Sequence, residues 1–237
     1  MIKLSPDEEQ IAAQAVMFAK TNRTQIARTL TDKLRFPAEK KPVSVFMAGS
    51  PGAGKTEASK LFLEEIGASN VIRLDPDDLR HYFDAYQGSN SYLFQSAVSL
   101  IVERTLDFAF RNGQSFLLDG TLSNYDIAHR NIERSLQKSR HVLIMFVYQK
   151  PEFAWEFVQA REKEEGRRIE PSVFVDQFLG AQTVVNELKG EFGSRIQVDL
   201  LVKNNKGHTR FYHDNVDEIE RYITERYTRQ QLLELIE

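Results

Sequence analysis

Residues 43–56 read Val43-Ser44-Val45-Phe46-Met47-Ala48, then Gly49-Ser50-Pro51-Gly52-Ala53-Gly54-Lys55-Thr56. The last eight satisfy G-x-x-x-x-G-K-[ST] in full, and they follow a short apolar run and precede a helical pattern, as that motif requires. Glycines let the backbone curl until several N–H groups point at one phosphate chain. The N-terminus of the following helix adds partial positive charge. Lys55 places a compact cation on the outer phosphates, and Thr56 offers Mg²⁺ a hydroxyl oxygen. The stretch therefore predicts a phosphate-binding loop for a nucleoside triphosphate, with ATP and Mg²⁺ as the expected cofactors. A glycine-rich turn without a ligand is the plainer reading, and the flanking strand and helix weigh against it.

Outward from this loop the chain alternates between strand and helix patterns. Further strands are predicted at 71–74, 115–118, 141–148 and 196–202. The run at 141–148, HVLIMFVY, is apolar without alternation, which fits burial on both faces. Helices are predicted at 54–66, 77–86, 92–111, 124–138, 151–165, 171–189 and 214–236. Residues 5–35 read as one or two helices, with Ser5 as cap and Pro6 at the first helical position. Phe36–Pro42 reads as a linker. The expected fold is α/β: a three-layer αβα arrangement of the P-loop kinase kind, a mostly parallel central sheet, a helical N-terminal segment and a helical lid region. The expected organisation is one domain over 1–237, with 1–41 a helical extension.

Composition narrows the chemistry. The chain has 237 residues, 31 Lys and Arg, 34 Asp and Glu, a net charge of −3 and no Cys. Disulfides, Cys-ligated zinc, iron–sulfur clusters and thiol catalysis are excluded. The charge balance argues against a nucleic-acid partner bound through a broad basic face. No apolar run approaches the roughly 20 residues that span a bilayer, and MIKLSPDEEQ lacks the apolar centre of a signal peptide. The expected location is cytoplasmic, with no membrane partner. The five histidines show no metal-ligand spacing.

Other charged residues suggest what is done with the phosphate. Asp75, Asp77 and Asp78 follow the second predicted strand, at the sheet edge where ligands bind in open parallel sheets. A carboxylate there is suited to take the proton of a substrate hydroxyl; an aspartate capping the next helix is the alternative. The third strand closes on Asp119, Gly120 and Thr121, and an acid in that place holds Mg²⁺ directly or through water. Arg161, Arg167 and Arg168 fall in a charged run that reads equally as a solvated helix end or as a closing lid that brings cations to a transferring phosphate. Glu103 on its own reads as a solvated helix charge.

In their order and spacing these elements resemble the zeta toxin family of P-loop kinases, over roughly 43 to 190 with a comparable N-terminal helix. The resemblance implies phosphorylation of the sugar 3′-hydroxyl of UDP-N-acetylglucosamine and growth inhibition held in check by a separate antitoxin protein. It makes Leu74-Asp75-Pro76-Asp77 the counterpart of the family's I-D-x-D, with Asp77 as the base. It makes Asp119-Gly120-Thr121 the counterpart of E-G-T, with Asp119 and Thr121 at the substrate. Glu103, sixteen positions before Asp119, becomes a substrate contact, and Arg161 and Arg168 become the lid arginines on the transferred phosphate. Two departures stand out: the acid is Asp119 rather than glutamate, and Ser123 occupies a place where the family commonly has arginine. A kinase for another small hydroxyl compound, such as an antibiotic, a nucleotide or NAD, is the rival within phosphotransfer. A nucleotide-binding switch or ATPase is the rival outside it, although the guanine-reading N-K-x-D is missing.

Overall fold

The computed structural model describes residues 4–166, 168–204, 209–223 and 225–236. Arg167 and His208 lie outside them. Helix α1 (Pro6–Leu30) begins as its sequence predicts: Ser5 and Glu8 cap each other's backbone in a capping box and Pro6 opens the first turn. It continues without a break, one helix rather than two. Next come β1 (Val43–Ala48), α2 (Lys55–Glu65), β2 (Ile72–Leu74), α3 (Gln95–Asn112), β3 (Phe116–Leu118), α4 (Tyr125–Gln137), β4 (His141–Tyr148), α5 (Pro151–Glu165), α6 (Pro171–Phe192), β5 (Gln197–Lys203), β6 (Thr209–His213) and α7 (Arg229–Ile236).

The six strands form one sheet in the order β2-β3-β1-β4-β5-β6, parallel except for β6. Alternation along β4 sends Val142, Ile144, Phe146 and Tyr148 to one face and Leu143, Met145 and Val147 to the other. The first face carries the large core, built with α1, α3, α4, α5, α6 and α7. The second carries a smaller core against α2, with Val45, Met47, Ala58 and Leu117. The three layers are therefore unequal. Among the described residues no helix is long and apolar enough to cross a membrane.

Three local expectations need correction. The helix predicted at 77–86 is a short 3-10 turn, Asp78–Tyr82. Asp75 Oδ1 accepts the Asp77 N–H at 2.9 Å, and Arg80 and Phe83 donate three residues back, to Asp77 and Arg80. These short-range bonds take the groups an α-helix would use. The helix predicted at 214–236 is confined to α7, with a 3-10 turn at Ile219–Arg221 before it. Long-range partners capture its backbone: Val216 N–H donates to Val198 O at 2.7 Å and Ile219 N–H to Asn186 Oδ1 at 3.0 Å. Strand β6 has no counterpart in the sequence reading. It lies at the sheet edge, where Phe211 and Tyr212 are both half-exposed, so no period-two burial pattern marks it.

Candidate active site

The register of three neighbouring strands builds the acidic side of the site. Leu74 pairs with Leu118, and Leu118 with Phe46, so Asp75 and Asp119 leave the sheet side by side next to the loop that follows β1. Arg73 pairs with Leu117, and the period of two puts its side chain on the α2 face. There its Nη2 meets Asp119 Oδ2 at 2.5 Å and Asp75 Oδ2 at 2.8 Å, while its Nε donates to Ser59 Oγ at 3.0 Å. Ser59 in turn donates to Asp119 at 3.0 Å. Asp75, Asp119 and Ser59 are all buried. Burial, with Asp77 and Asp119 nearby, raises the Asp75 pKa above the usual carboxylate range. Burial alone would lower that of Arg73, but Asp119 and Asp75 hold it above its ordinary value.

The phosphate loop is shaped by contacts only glycine permits. Gly49 has φ +129° and Gly52 φ +73°, and a Cβ on Gly52 would lie 2.0 Å from the Ala154 carbonyl oxygen of α5. Gly52→Ala therefore forces backbone apart, in a conformation costing a side chain about 1–3 kcal/mol. We expect a melting temperature several degrees lower and loss of nucleotide binding, measured by thermal unfolding and fluorescent-nucleotide titration. A variant with wild-type melting and affinity would contradict this packing.

Lys55 lies within the loop it belongs to. Its Nζ donates to Gly49 O at 3.1 Å and Ser50 O at 2.6 Å. Burial pulls its pKa down to about 8, against the opposing pull of Asp119, Asp77 and Asp75, and the positive charge of Arg161 adds to the lowering. A bound phosphate would favour the protonated ammonium. Above pH of about 8, nucleotide binding must then take up a proton, and affinity should fall by up to about tenfold per pH unit until the ordinary lysine range. Affinity that stays flat from pH 7 to 10 would contradict this.

A second buried cation borders the loop. Lys203 closes β5, and its Cε lies 3.6 Å from where a Cβ on Gly54 would be. Burial lowers its pKa, with Glu57 of α2 opposing. The cradle of glycines, the inward lysine and the start of α2 at Lys55 fit a triphosphate. The fit to Mg²⁺ is narrower. Thr56 supplies a hydroxyl, but Asp119 Oδ2 already accepts from Arg73 and Ser59, so a metal drawn to that oxygen would compete with a guanidinium. Among the described residues no group of three or more acidic or histidine side chains forms a metal cage.

The Zeta toxin family profile matches residues 26–217. The chain belongs to the Zeta toxin family. Toxin PezT of Streptococcus pneumoniae serotype 4 (strain ATCC BAA-334 / TIGR4) is 26% identical over 135 residues, which is 50% of this chain and 49% of that protein. The match thus spans about half the length of that relative. In the solved PezAT chromosomal toxin–antitoxin system of S. pneumoniae, one chain superposes with a TM-score of 0.65 at 14% identity, over 99% of this chain and 96% of that one. The AvrRxo1-ORF1:-ORF2 complex with ATP gives 0.57 at 16%, over 89% and 67%. At such identities these two likenesses establish the fold.

Within this Zeta toxin chain the predicted residues separate into two groups. Lys55, Asp75, Asp77, Asp119 and Arg161 converge, since Lys55 feels the other four charges at once. Asp77 is ion-paired with Arg80. Thr121 joins the loop through its backbone, where Gly49 N–H donates to Thr121 O at 3.2 Å, and its hydroxyl lies 2.9 Å from that of Ser123. The second group stands apart in its partners. Glu103 is exposed on α3, 3.6 Å from Arg130 of α4. Arg168 is exposed and pairs with Glu170 at 3.2 Å. The sequence reading missed Arg73, Arg80, Ser59 and Lys203. An arginine inside a short buried strand was the available signal for Arg73. An arginine three residues after Asp77 was the signal for Arg80.

Proposed function

We propose that this Zeta toxin family protein is an ATP-dependent kinase that phosphorylates a hydroxyl of a small molecule, most simply a sugar hydroxyl of a nucleotide-sugar such as UDP-N-acetylglucosamine. The observation that carries the reading is the convergence on Lys55 of Asp119, Asp77, Asp75 and Arg161. One carboxylate beside the cradle serves a switch or ATPase as well, since it holds Mg²⁺; transfer to a hydroxyl calls for a second one to take the proton, and Asp77 supplies it here.

The chemistry assigned to the chain is as follows. The loop Gly49–Thr56 holds the phosphates of ATP through its backbone N–H groups, and Lys55 turns from the carbonyls of Gly49 and Ser50 to the outer phosphates. Asp77 accepts the proton of the acceptor hydroxyl. That oxygen bonds to the γ-phosphorus as the bond to the β,γ-bridging oxygen breaks, and ADP leaves. Arg161, with Arg168 when the lid closes, offsets charge on the transferring group. Thr56, and Asp119 through water, would hold Mg²⁺, which screens phosphate charge when bound. Glu103 and Thr121 are assigned to the acceptor on the family resemblance. The same resemblance makes the chain one kinase domain with a helical N-terminal extension. The PezAT relationship supports a separate antitoxin protein as its partner.

Incubating the protein with Mg·ATP and a pool of UDP-N-acetylglucosamine, other nucleotide-sugars, NAD and free sugars, followed by mass spectrometry, tests this. One phosphate gained by a nucleotide-sugar, and lost in Asp77→Asn, supports it. The Ser123 hydroxyl at Thr121, in place of the family's arginine, gives a specific reason to include acceptors beyond UDP-N-acetylglucosamine. ATP bound but unconsumed across the pool would overturn the kinase.

A further inference from the structure

Two buried arginines in this molecule are satisfied in opposite ways. Arg140 is buried and bonds Ser44 Oγ at 2.7 Å, Val43 O at 2.8 Å and Gln114 O at 2.6 Å. These are fixed groups of the scaffold, and Arg140 acts as a staple between strand ends. Arg80 is also buried, 8% exposed. Its Nη1 is ion-paired with Asp77 Oδ1, and its Nε is buried with no hydrogen-bond partner among the described residues. Removing a guanidinium from water is costly unless it is paired and its donors are satisfied. Here the fold accepts an incompletely satisfied arginine and directs it at a carboxylate that is itself one-third exposed.

The local backbone explains the geometry. Side chains three apart eclipse in a 3-10 turn, and Asp78–Tyr82 is such a turn, with Arg80 N–H bonded to Asp77 O. On the other side, Asp75 Oδ1 holds the Asp77 N–H, and Asp75 is anchored through Arg73 to Asp119. Asp77 is thus held at its backbone by Asp75, and Arg80 pairs with its carboxylate.

We infer that Arg80 is a positioning residue for Asp77, orienting its carboxylate through Oδ1 beside the phosphate loop. The inference rests on the kinase reading and deepens it. Arg80 does not touch the reacting atoms in this account; it acts through Asp77. Among the described residues the charged groups near Asp77 include Asp75 from its own loop, Arg80 from the turn and Lys55 from the start of α2.

The test follows the Asp77 carboxyl carbon by ¹³C NMR during a pH titration, its resonance assigned by its loss in Asp77→Asn, alongside phosphoryl transfer to the acceptor found in the metabolite pool. A neighbouring cation lowers a carboxylate pKa by about 1–3 units. In Arg80→Met the midpoint should therefore rise by about that much, and in Arg80→Lys it should stay closer to wild type. The acid limb of kcat should move up with it, kcat should fall tenfold or more, and the KM for ATP should hold. Should Arg80→Met fold poorly, Arg80→Gln gives the same comparison. A folded variant without the cation whose Asp77 titration is unchanged overturns the inference. Transfer that survives in Asp77→Asn removes the base, and this inference with it. A wild-type pH profile in Arg80→Met, with Asp77→Asn inactive, removes the role of Arg80 alone.

Discussion

Asp77→Asn is expected to lower phosphoryl transfer by about 10²–10⁴-fold, the usual contribution of a positioned general base, and to leave nucleotide affinity near wild type. The substitution keeps the volume of the side chain and its turn, because Asp75 Oδ1 binds the backbone N–H of residue 77 rather than its side chain. What it removes is the negative charge and the basic oxygen. It also takes a counter-charge from the buried Arg80, so a clear loss of stability should accompany it. The decisive comparison is kcat against nucleotide affinity, measured on one folded preparation. Turnover equal to wild type would eliminate Asp77 as the base and redirect attention to Asp75, whose raised pKa suits a base but whose two oxygens already accept from Arg73 and the Asp77 N–H.

Lys55→Ala is expected to abolish activity by another route. The loss of a preorganised cation on a transferring phosphate costs about 10²–10³ in kcat, and a charge-assisted bond in the ground state adds about 10–100-fold in affinity. Nucleotide binding and turnover should therefore fall together, unlike in Asp77→Asn. Stability should move the other way. The folded pKa of Lys55 is about 8, below its ordinary value, so the folded state disfavours the charged form and carries that cost at every pH below the ordinary lysine range. Alanine removes the cost, and the variant should melt at or above the wild-type temperature near pH 7. Unchanged nucleotide affinity in Lys55→Ala would count against the phosphate-loop reading. A sharp loss of stability would show that Lys55 staples the empty loop through Gly49 O and Ser50 O instead.

Much of this site was legible in the chain because its signals are local. The turn Gly49–Thr56 carries its chemistry within eight residues, between a strand and a helix that its neighbours define. Asp75 and Asp119 were found because each follows a strand pattern, and Asp77 because it falls in the acidic cluster after the second strand, where the family resemblance places the base. The helix start at Ser5 and Pro6 depends on residues three apart. Where expectations failed, other hydrogen bonds had outbid the helical ones. The segment after His213 favours helix by pattern, yet Val198 O and Asn186 Oδ1 take its N–H groups first. The 77–86 segment has helical periodicity, yet the N–H groups of Arg80 and Phe83 bond three residues back, to Asp77 and Arg80, and close a 3-10 turn.

What the sequence determined by itself was therefore a class of chemistry: a phosphate cradle, acids at strand ends, and a strand–helix alternation that only a parallel α/β sheet satisfies. What tertiary structure alone decided was which charges meet. Glu103 and Arg161 look alike in sequence, each a charged residue on a helix, but α5 brings Arg161 into the field of Lys55 while α3 turns Glu103 toward Arg130. Arg73 gained its role only when β3 inserted between β2 and β1 and set Asp119 beside Asp75. Lys203 reached Gly54 only because β5 lies two strands from β1 across β4. The physical reason is the same in each case. Backbone preference acts over a few residues, whereas Coulomb interaction and burial depend on distance in space, and folding alone converts one into the other.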